Sequence, residues 1–369
     1  MATAVRNGSV DVVRAVALVG ICVVNVPFLG LPLEALFTPP EAPADRAVAF
    51  AVEALLQAKV FLLFSFVFGW GLHVQAQAAA RAGACFGRRW SRRLAVLAVL
   101  GCLHAVFVFT GDILLLYALL GALVWPLRAA SPRTLLRIAA AMVPVAAVCL
   151  ASLGVLLSGD LGLGSAAGLS GSFGEATRAR LADWPATFGF LLLFQAPLAF
   201  AAFAAGIAAG RLGVFEADSP HRRRLKRAVP LLAAVGVPLN LLYAAAMGGW
   251  LPPEYEGLEL AGFMALAPGA PLLSAVYLSL LLDAADRVRL PSLVVTAGRN
   301  SLSVYVAQGV VAGVLFGGYG AGLFAAIGHA WLVPVALAVA AVAVTAVGLV
   351  AARFGRGPLE ALLRRVTYA

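Results

Sequence analysis

The chain has 369 residues, of which 62% are hydrophobic and only 12% charged, and its 27 Lys and Arg against 17 Asp and Glu give a formal net charge of +10. Soluble domains run to roughly 45–50% apolar and about 25% charged residues, so this composition excludes a water-soluble globular protein, a disordered chain and a coiled coil. It predicts an all-α, polytopic integral membrane protein forming a single membrane-embedded helical domain, because lipid accepts apolar side chains on every helix face and a helix satisfies its own backbone.

A span needs roughly 20 mostly apolar residues, and runs of that kind between charged or Gly/Pro-rich breaks predict about ten transmembrane helices. Each ionisable group inside such a run costs about 2.5–3.5 kcal/mol or more and is therefore a site hypothesis. The first run, Val12 to Leu29, is preceded by Asp11 and contains Arg14, a spacing that permits an ion pair. Asn25 continues the same polar stripe. The second run, Phe50 to Val74, holds Lys59 near its middle with Glu53 almost two turns earlier. A mid-bilayer lysine needs a carboxylate, a carbonyl or a water-filled cavity. The third and fourth runs, Leu94 to Phe109 and Ile113 to Leu127, are joined only by Thr110, Gly111 and Asp112, which predicts a tight helical hairpin. His104 in the third and Asp112 after the turn make a histidine–carboxylate pair, the arrangement a general base needs; the plainer reading is that Asp112 caps the fourth helix while His104 bonds a carbonyl.

The fifth run is Leu135 to Leu157, and the Gly/Ser-rich stretch 158–185 reads as an external loop. Phe188 to Leu212, Val229 to Met247 and Leu260 to Leu282 follow as the sixth to eighth runs. The ninth, Ser301 to Gly317, opens with a polar cluster: Arg299, Asn300, Ser301, Ser303, Tyr305 and Gln308. These side chains could line a headgroup or phosphate pocket, or pack helices through small residues and hydroxyls. The tenth run is Trp331 to Ala352.

An even number of spans puts both termini on one side, and 23 of the 27 basic residues fall on that side, including Arg81, Arg88, Arg89, Arg92 and Arg93 in one loop. The other side keeps only Arg46, Arg178 and Arg180 beside acids such as Glu34, Glu41 and Asp45, while Lys59 is embedded. The positive-inside rule then makes both termini cytoplasmic and explains the net charge without a nucleic-acid partner. Cys22, Cys102 and Cys149 lie within runs and Cys85 in a cytoplasmic loop, which predicts neither a disulfide framework nor a metal site. The excess of Arg over Lys, with abundant Ala, suggests a GC-rich bacterial genome and hence the bacterial cytoplasmic (inner) membrane.

Five stretches carry a family resemblance: DVVRAVALVGICVVN from Asp11, KVFLLFSFVFGWG from Lys59, GCLHAVFVFTGDILLLYALLG from Gly101, GRNSLSVYVAQ from Gly298 and GPLEALLRR from Gly357. Together and in this order they resemble the YeiB-like bacterial membrane proteins, a family defined by a domain of unknown function. Ala15 stands where that pattern usually has Gly. Ser9, Asp11 and Arg14 also resemble the start of the wider transmembrane acyltransferase group, whose members move an acyl group from cytosolic acyl-CoA to a hydroxyl or amine across the membrane. In that group an exported histidine near the first span is implicated. No histidine occupies Leu31 to Arg46 here, so His104 takes that role by position alone.

The resemblance implies acyl-CoA as donor, drawn to Arg88, Arg89, Arg92 and Arg93, and a lipid or glycan acceptor. The acyl arm would thread a cavity bounded by Asp11, Arg14 and Lys59, with Arg299, Asn300, Ser301, Tyr305 and Gln308 as further substrate contacts. His104, oriented by Asp112, would deprotonate the acceptor, and Lys59 or Asn25 would steady the oxyanion. The alternatives are a transporter or lipid flippase using the same polar cavity, with Lys59 and Glu53 exchanging protons, and a non-catalytic membrane partner.

Overall fold

The computed structural model describes residues 8–157, 169–251, 254, 256–288 and 291–368. Arg6, Arg289 and the first part of the expected external loop, 158–168, lie outside the described residues. The described residues are helical throughout, with short turns between elements.

Helix α1 (Gly8–Gly30) is the axis of the bundle. Val13, Ala17 and Leu18 are wholly buried, and the helix touches α4, α11, α12, α13 and α14, whose ranges follow. After a short α2 (Leu33–Phe37), α3 (Pro43–Leu55) and α4 (Lys59–Arg81) form the expected second span, interrupted at 56–58. Ala58 there takes a left-handed φ of 66°, a conformation that costs a residue with a side chain of order 1–3 kcal/mol. At 1.5 Å per residue the 39 residues from Pro43 to Arg81 would be about 58 Å long, roughly twice the hydrocarbon core, so the apolar segment has to be broken.

Helices α5 (Phe86–Phe107) and α6 (Leu114–Leu123) make the expected hairpin. A 3-10 turn at Trp125–Ala129 leads into α7 (Pro132–Leu157). Helices α8 (Phe173–Phe194) and α9 (Ala196–Leu212) meet at a bend of 52° at Gln195. The glycines of α4 and α9 let the two backbones nearly touch: a Cβ on Gly69 would lie 2.1 Å from the Phe203 carbonyl oxygen, and one on Gly206 would lie 2.0 Å from that of Phe66. The long pair α10 (Pro220–Met247) and α11 (Glu256–Arg287) packs side by side. Next come α12 (Ser292–Arg299), α13 (Ser301–Phe316), α14 (His329–Phe354) and the terminal α15 (Pro358–Tyr368).

The chain is thus an all-α polytopic membrane protein, with two corrections to the expected layout. Among the described residues seven helices are long and apolar enough to cross a membrane, or eight if the bent α8–α9 pair is one span. The expected fourth and ninth spans are helices of only 10 and 16 residues, about 15 and 24 Å long, short of a roughly 30 Å hydrocarbon core. The expected external loop also ends early, because residues from Phe173 onward are helical. Ser172 and Glu175 start that helix as a capping box: the Ser172 hydroxyl accepts from the Glu175 N–H, and the Glu175 carboxylate accepts from the Ser172 N–H at 2.7 Å.

Candidate functional site

The hairpin between α5 and α6 places two polar side chains inside an apolar bundle. His104 stands on the last turns of α5 and is 4% exposed; Asp112 follows the turn and is 2% exposed. Their side chains meet, with His104 Nδ1 2.8 Å from Asp112 Oδ2. The other carboxylate oxygen, Oδ1, accepts the N–H groups of Leu114 at 2.8 Å and Leu115 at 3.3 Å, so Asp112 also caps α6. Tyr305, from α13, donates its hydroxyl to Asp112 Oδ2 at 3.3 Å, and its ring centroid is 5.3 Å from the imidazole.

A carboxylate can only accept, so its contact with Nδ1 assigns the proton to Nδ1 and leaves a lone pair on Nε2. Among the described residues Nε2 is buried and has no hydrogen-bond partner. It abuts Gly309, where an added Cβ would lie 2.5 Å away. Asn25, Tyr305, Gln308 and Gly309 join His104 around a cavity of about 10 Å³, about the minimum that holds one water molecule. Gln308 donates Nε2 to the Leu18 carbonyl at 3.4 Å, while its Oε1 is buried without a partner among the described residues. A buried, carboxylate-oriented imidazole whose free nitrogen faces a small, mostly apolar cavity is equipped to take a proton from a hydroxyl or amine.

On the other side of Tyr305 lies a second cavity, of about 220 Å³, lined by Arg14, Arg93, Arg299, Ser301, Tyr305 and Glu360 among others. Asp11 is buried beside it, 3.4 Å from Arg299 Nε and 4.0 Å from an Arg14 nitrogen. The polar start of α13 is held by the terminal helix. Glu360 accepts from the Leu302 N–H at 2.8 Å, the Ser303 N–H at 3.1 Å and the Ser303 hydroxyl at 2.5 Å. Asn300 Oδ1 accepts from the Gly357 N–H at 2.7 Å, and Ser303 Oγ accepts from the Leu359 N–H at 3.0 Å.

The expected residues therefore divide. His104, Asp112, Asn25, Tyr305 and Gln308 converge on the small cavity, and Arg14, Arg93, Arg299 and Ser301 on the larger one, with Asp11 paired to two of its arginines. Lys59 does not join either, because the break before α4 puts it at a helix start, fully buried, with Nζ donating to the Glu53 carbonyl at 2.7 Å. Of the loop arginines only Arg93 points inward; Arg88 is exposed, Arg89 lies over the Tyr368 ring and Arg92 lines neither cavity. Asn300 is committed to backbone groups at Thr296 and Gly357. Three participants escaped the sequence reading. Gly309 and Glu360 act through partners far along the chain, although Glu360 sits within GPLEALLRR. Arg180, expected outside, is buried with its guanidinium on the Phe107 carbonyl at 3.2 Å and the Tyr319 hydroxyl at 3.1 Å, pinning the end of the helix that carries His104. No group of three or more His, Cys, Asp or Glu side chains among the described residues is placed to hold a metal ion.

Comparison with known proteins agrees with the motif runs. Residues 209–369 match the family described as a protein of unknown function (DUF418). Over 98% of this chain and 94% of the relative, the sequence is 28% identical to the uncharacterized protein YxaH of Bacillus subtilis (strain 168). It is 35% identical to the uncharacterized protein YeiB of Escherichia coli (strain K12) over 33% of this chain and 31% of that protein. The chain is therefore similar to the YeiB-like proteins, with the DUF418 match lying in residues 209–369. An uncharacterized 39.9 kDa protein from the amylase 3' region of Bacillus acidopullulyticus is a further relative, 31% identical over 33% of this chain and 34% of its own length. No solved structure matches. The matched DUF418 segment contains α13 and α15, which carry Tyr305, Gln308, Gly309 and Glu360 in this YeiB-like protein; the His104–Asp112 hairpin lies ahead of it.

Proposed function

We propose that this YeiB-like protein is a transmembrane acyltransferase of the bacterial cytoplasmic membrane, with both termini cytoplasmic, that moves an acyl group from cytosolic acyl-CoA to a lipid or glycan acceptor at or beyond the outer face. The observation that carries the reading is the buried His104–Asp112 pair with Nε2 facing a cavity. Nε2 takes the proton of the acceptor's hydroxyl or amine as its oxygen or nitrogen attacks the thioester carbonyl. Asn25, on the same cavity, supports the oxyanion. The C–S bond then breaks, and the proton passes from the imidazolium to the departing CoA thiolate. Asp112 holds the imidazole in the productive tautomer and stabilises its protonated form.

The test is transfer of labelled acyl groups by protein reconstituted in vesicles containing candidate lipid and glycan acceptors. His104→Ala should cut turnover by about 10²–10⁴, the contribution of a positioned general base. Its donor binding should persist as a melting shift, worth about 2.7 kcal/mol at a hundred times the dissociation constant. Undiminished turnover in that variant removes His104 from the chemistry.

A transporter or flippase reading draws on a different feature, the buried Lys59 at the break between α3 and α4 beside Glu53. It predicts substrate accumulation in vesicles without acyl-CoA, abolished in Lys59→Met.

A further inference from the structure

The 220 Å³ cavity has chemistry that the His104 pair does not use. At roughly 30 Å³ per water it has room for about seven waters, enough for a phosphate group and part of what carries it. Arg14 from α1, Arg93 from α5 and Arg299 from α12 bring three guanidiniums to its wall. Two carboxylates stand nearby, and neither is in ion-pair contact with Arg93, which feels the charge of Glu360 only at longer range. Asp11 is shared between Arg14 and Arg299. Glu360 lines the cavity, but its oxygens are spent on the first backbone N–H groups of α13 and on the Ser303 hydroxyl.

Arg93 thus has no carboxylate in ion-pair contact among the described residues, and its Nε is buried without an acceptor. An arginine so placed is costly unless something supplies acceptor oxygens. The cavity is also reachable: the Arg299 side chain is 51% exposed and that of Arg14 26%. We infer that this cavity beneath α15 is a binding site for a phosphate-bearing anion, with Arg93 as its inner contact and Arg14 and Arg299 at its mouth. Phosphate fits better than a carboxylate because three forked donors around one space exceed what two oxygens can accept. The other loop arginines, exposed Arg88 and half-buried Arg89 and Arg92, do not line this cavity. The inference is independent of any transfer at His104, since a cargo, a lipid or a donor could carry the same phosphate.

The experiment uses the full chain in nanodiscs, with pyrophosphate titrated into phosphatidylcholine discs and phosphatidylglycerol supplied in a second set. If the phosphate is soluble, pyrophosphate binds in neutral discs, Arg93→Gln weakens it at least about tenfold, and the Arg88→Gln, Arg89→Gln, Arg92→Gln triple variant binds like wild type. If it belongs to a lipid headgroup, pyrophosphate has no effect and phosphatidylglycerol raises the melting point in an Arg93-dependent way. Either result supports the site. Binding that is the same in Arg93→Gln as in wild type overturns it, as does a loss in the triple variant as large as in Arg93→Gln, or no Arg93-dependent response to either phosphate. Should Arg93→Gln fail to fold, the half-exposed Arg299→Gln takes its place under the same criteria. His104→Ala should bind pyrophosphate normally, so failure of the anion site and failure of acyl transfer are separate results.

Discussion

His104 and Gly309 are neighbours across the bundle: the imidazole Nε2 occupies the space that a side chain on Gly309 would need, 2.5 Å from an ideal Cβ. Glycine at that point of α13 is therefore a requirement of the histidine. In Gly309→Ala the ring must turn, and the Val108 side chain, 3.1 Å from the same point, limits where it can go. Turnover should fall nearly as far as in His104→Ala while the melting point drops only slightly, since a helical Gly-to-Ala change itself stabilises by about 0.5–1 kcal/mol. Parallel melting curves and transfer assays decide it; full activity in the alanine variant would mean that the ring position is irrelevant.

Asp112→Asn separates orientation from folding. The remaining amide oxygen can still accept from Leu114 and Leu115, but the amide N–H₂ now faces His104 Nδ1 and favours the opposite tautomer. Turnover should fall by about 10²–10⁴ with little loss of stability, whereas Asp112→Ala should also cost about 1–3 kcal/mol for the uncapped N–H groups. The double variant with His104→Ala should be no slower than His104→Ala alone, because the two act as one unit.

Glu360→Ala removes three contacts that tie α15 to the start of α13. Losing a charged cap costs about 1–3 kcal/mol, so denaturant or thermal unfolding in detergent should show a fall of that order. Glu360→Gln keeps one acceptor oxygen and should lose less. Equal stability for wild type and the alanine variant would show that α15 docks by its apolar face alone.

Lys59 and Glu53 are a test of coupling at the helix break. Lys59 Nζ donates to the Glu53 carbonyl, and the Glu53 carboxylate lies within electrostatic reach of Lys59 and of the Tyr243 hydroxyl. Lys59→Met should destabilise by about 1–3 kcal/mol, because it removes the hydrogen bond to the Glu53 carbonyl. Adding Glu53→Gln should be non-additive, and purely additive effects would show that the two groups do not interact.

Cys85 reports the side on which the basic loop lies. It is exposed just ahead of α5, whereas Cys22 is buried in α1. Backbone N–H groups of Arg88, then Gly87, hold the Cys85 thiol below its ordinary range despite an opposing desolvation effect. A lowered value means more thiolate at a given pH, so its alkylation should be faster near neutral pH than that of an ordinary exposed thiol and level off at a lower pH. A charged maleimide should label a Cys85-only variant in inside-out vesicles and not in right-side-out ones; the reverse pattern would invert the topology.

Composition alone determined the class of this protein, because 62% apolar residues find no aqueous home. The cost of an ionisable group in hydrocarbon is large enough that His104, Asp112, Asp11, Arg14 and Lys59 announce themselves one by one in the linear text. The capping box at Ser172 and Glu175 was equally local and was hidden only by its Gly/Ser-rich setting. What the sequence could not decide was which of these residues share a space. Lys59 and Arg14 look like neighbours in a string of polar exceptions, yet the break at Ala58 sends Lys59 to Glu53 while Arg14 turns toward Arg93 and Arg299. Gly309 and Glu360 carry no local signal at all: one matters for the ring it leaves room for, the other for a helix start more than fifty residues earlier. Burial costs are properties of a residue, whereas cavities and caps are properties of pairs, and only the folded chain brings the pairs together.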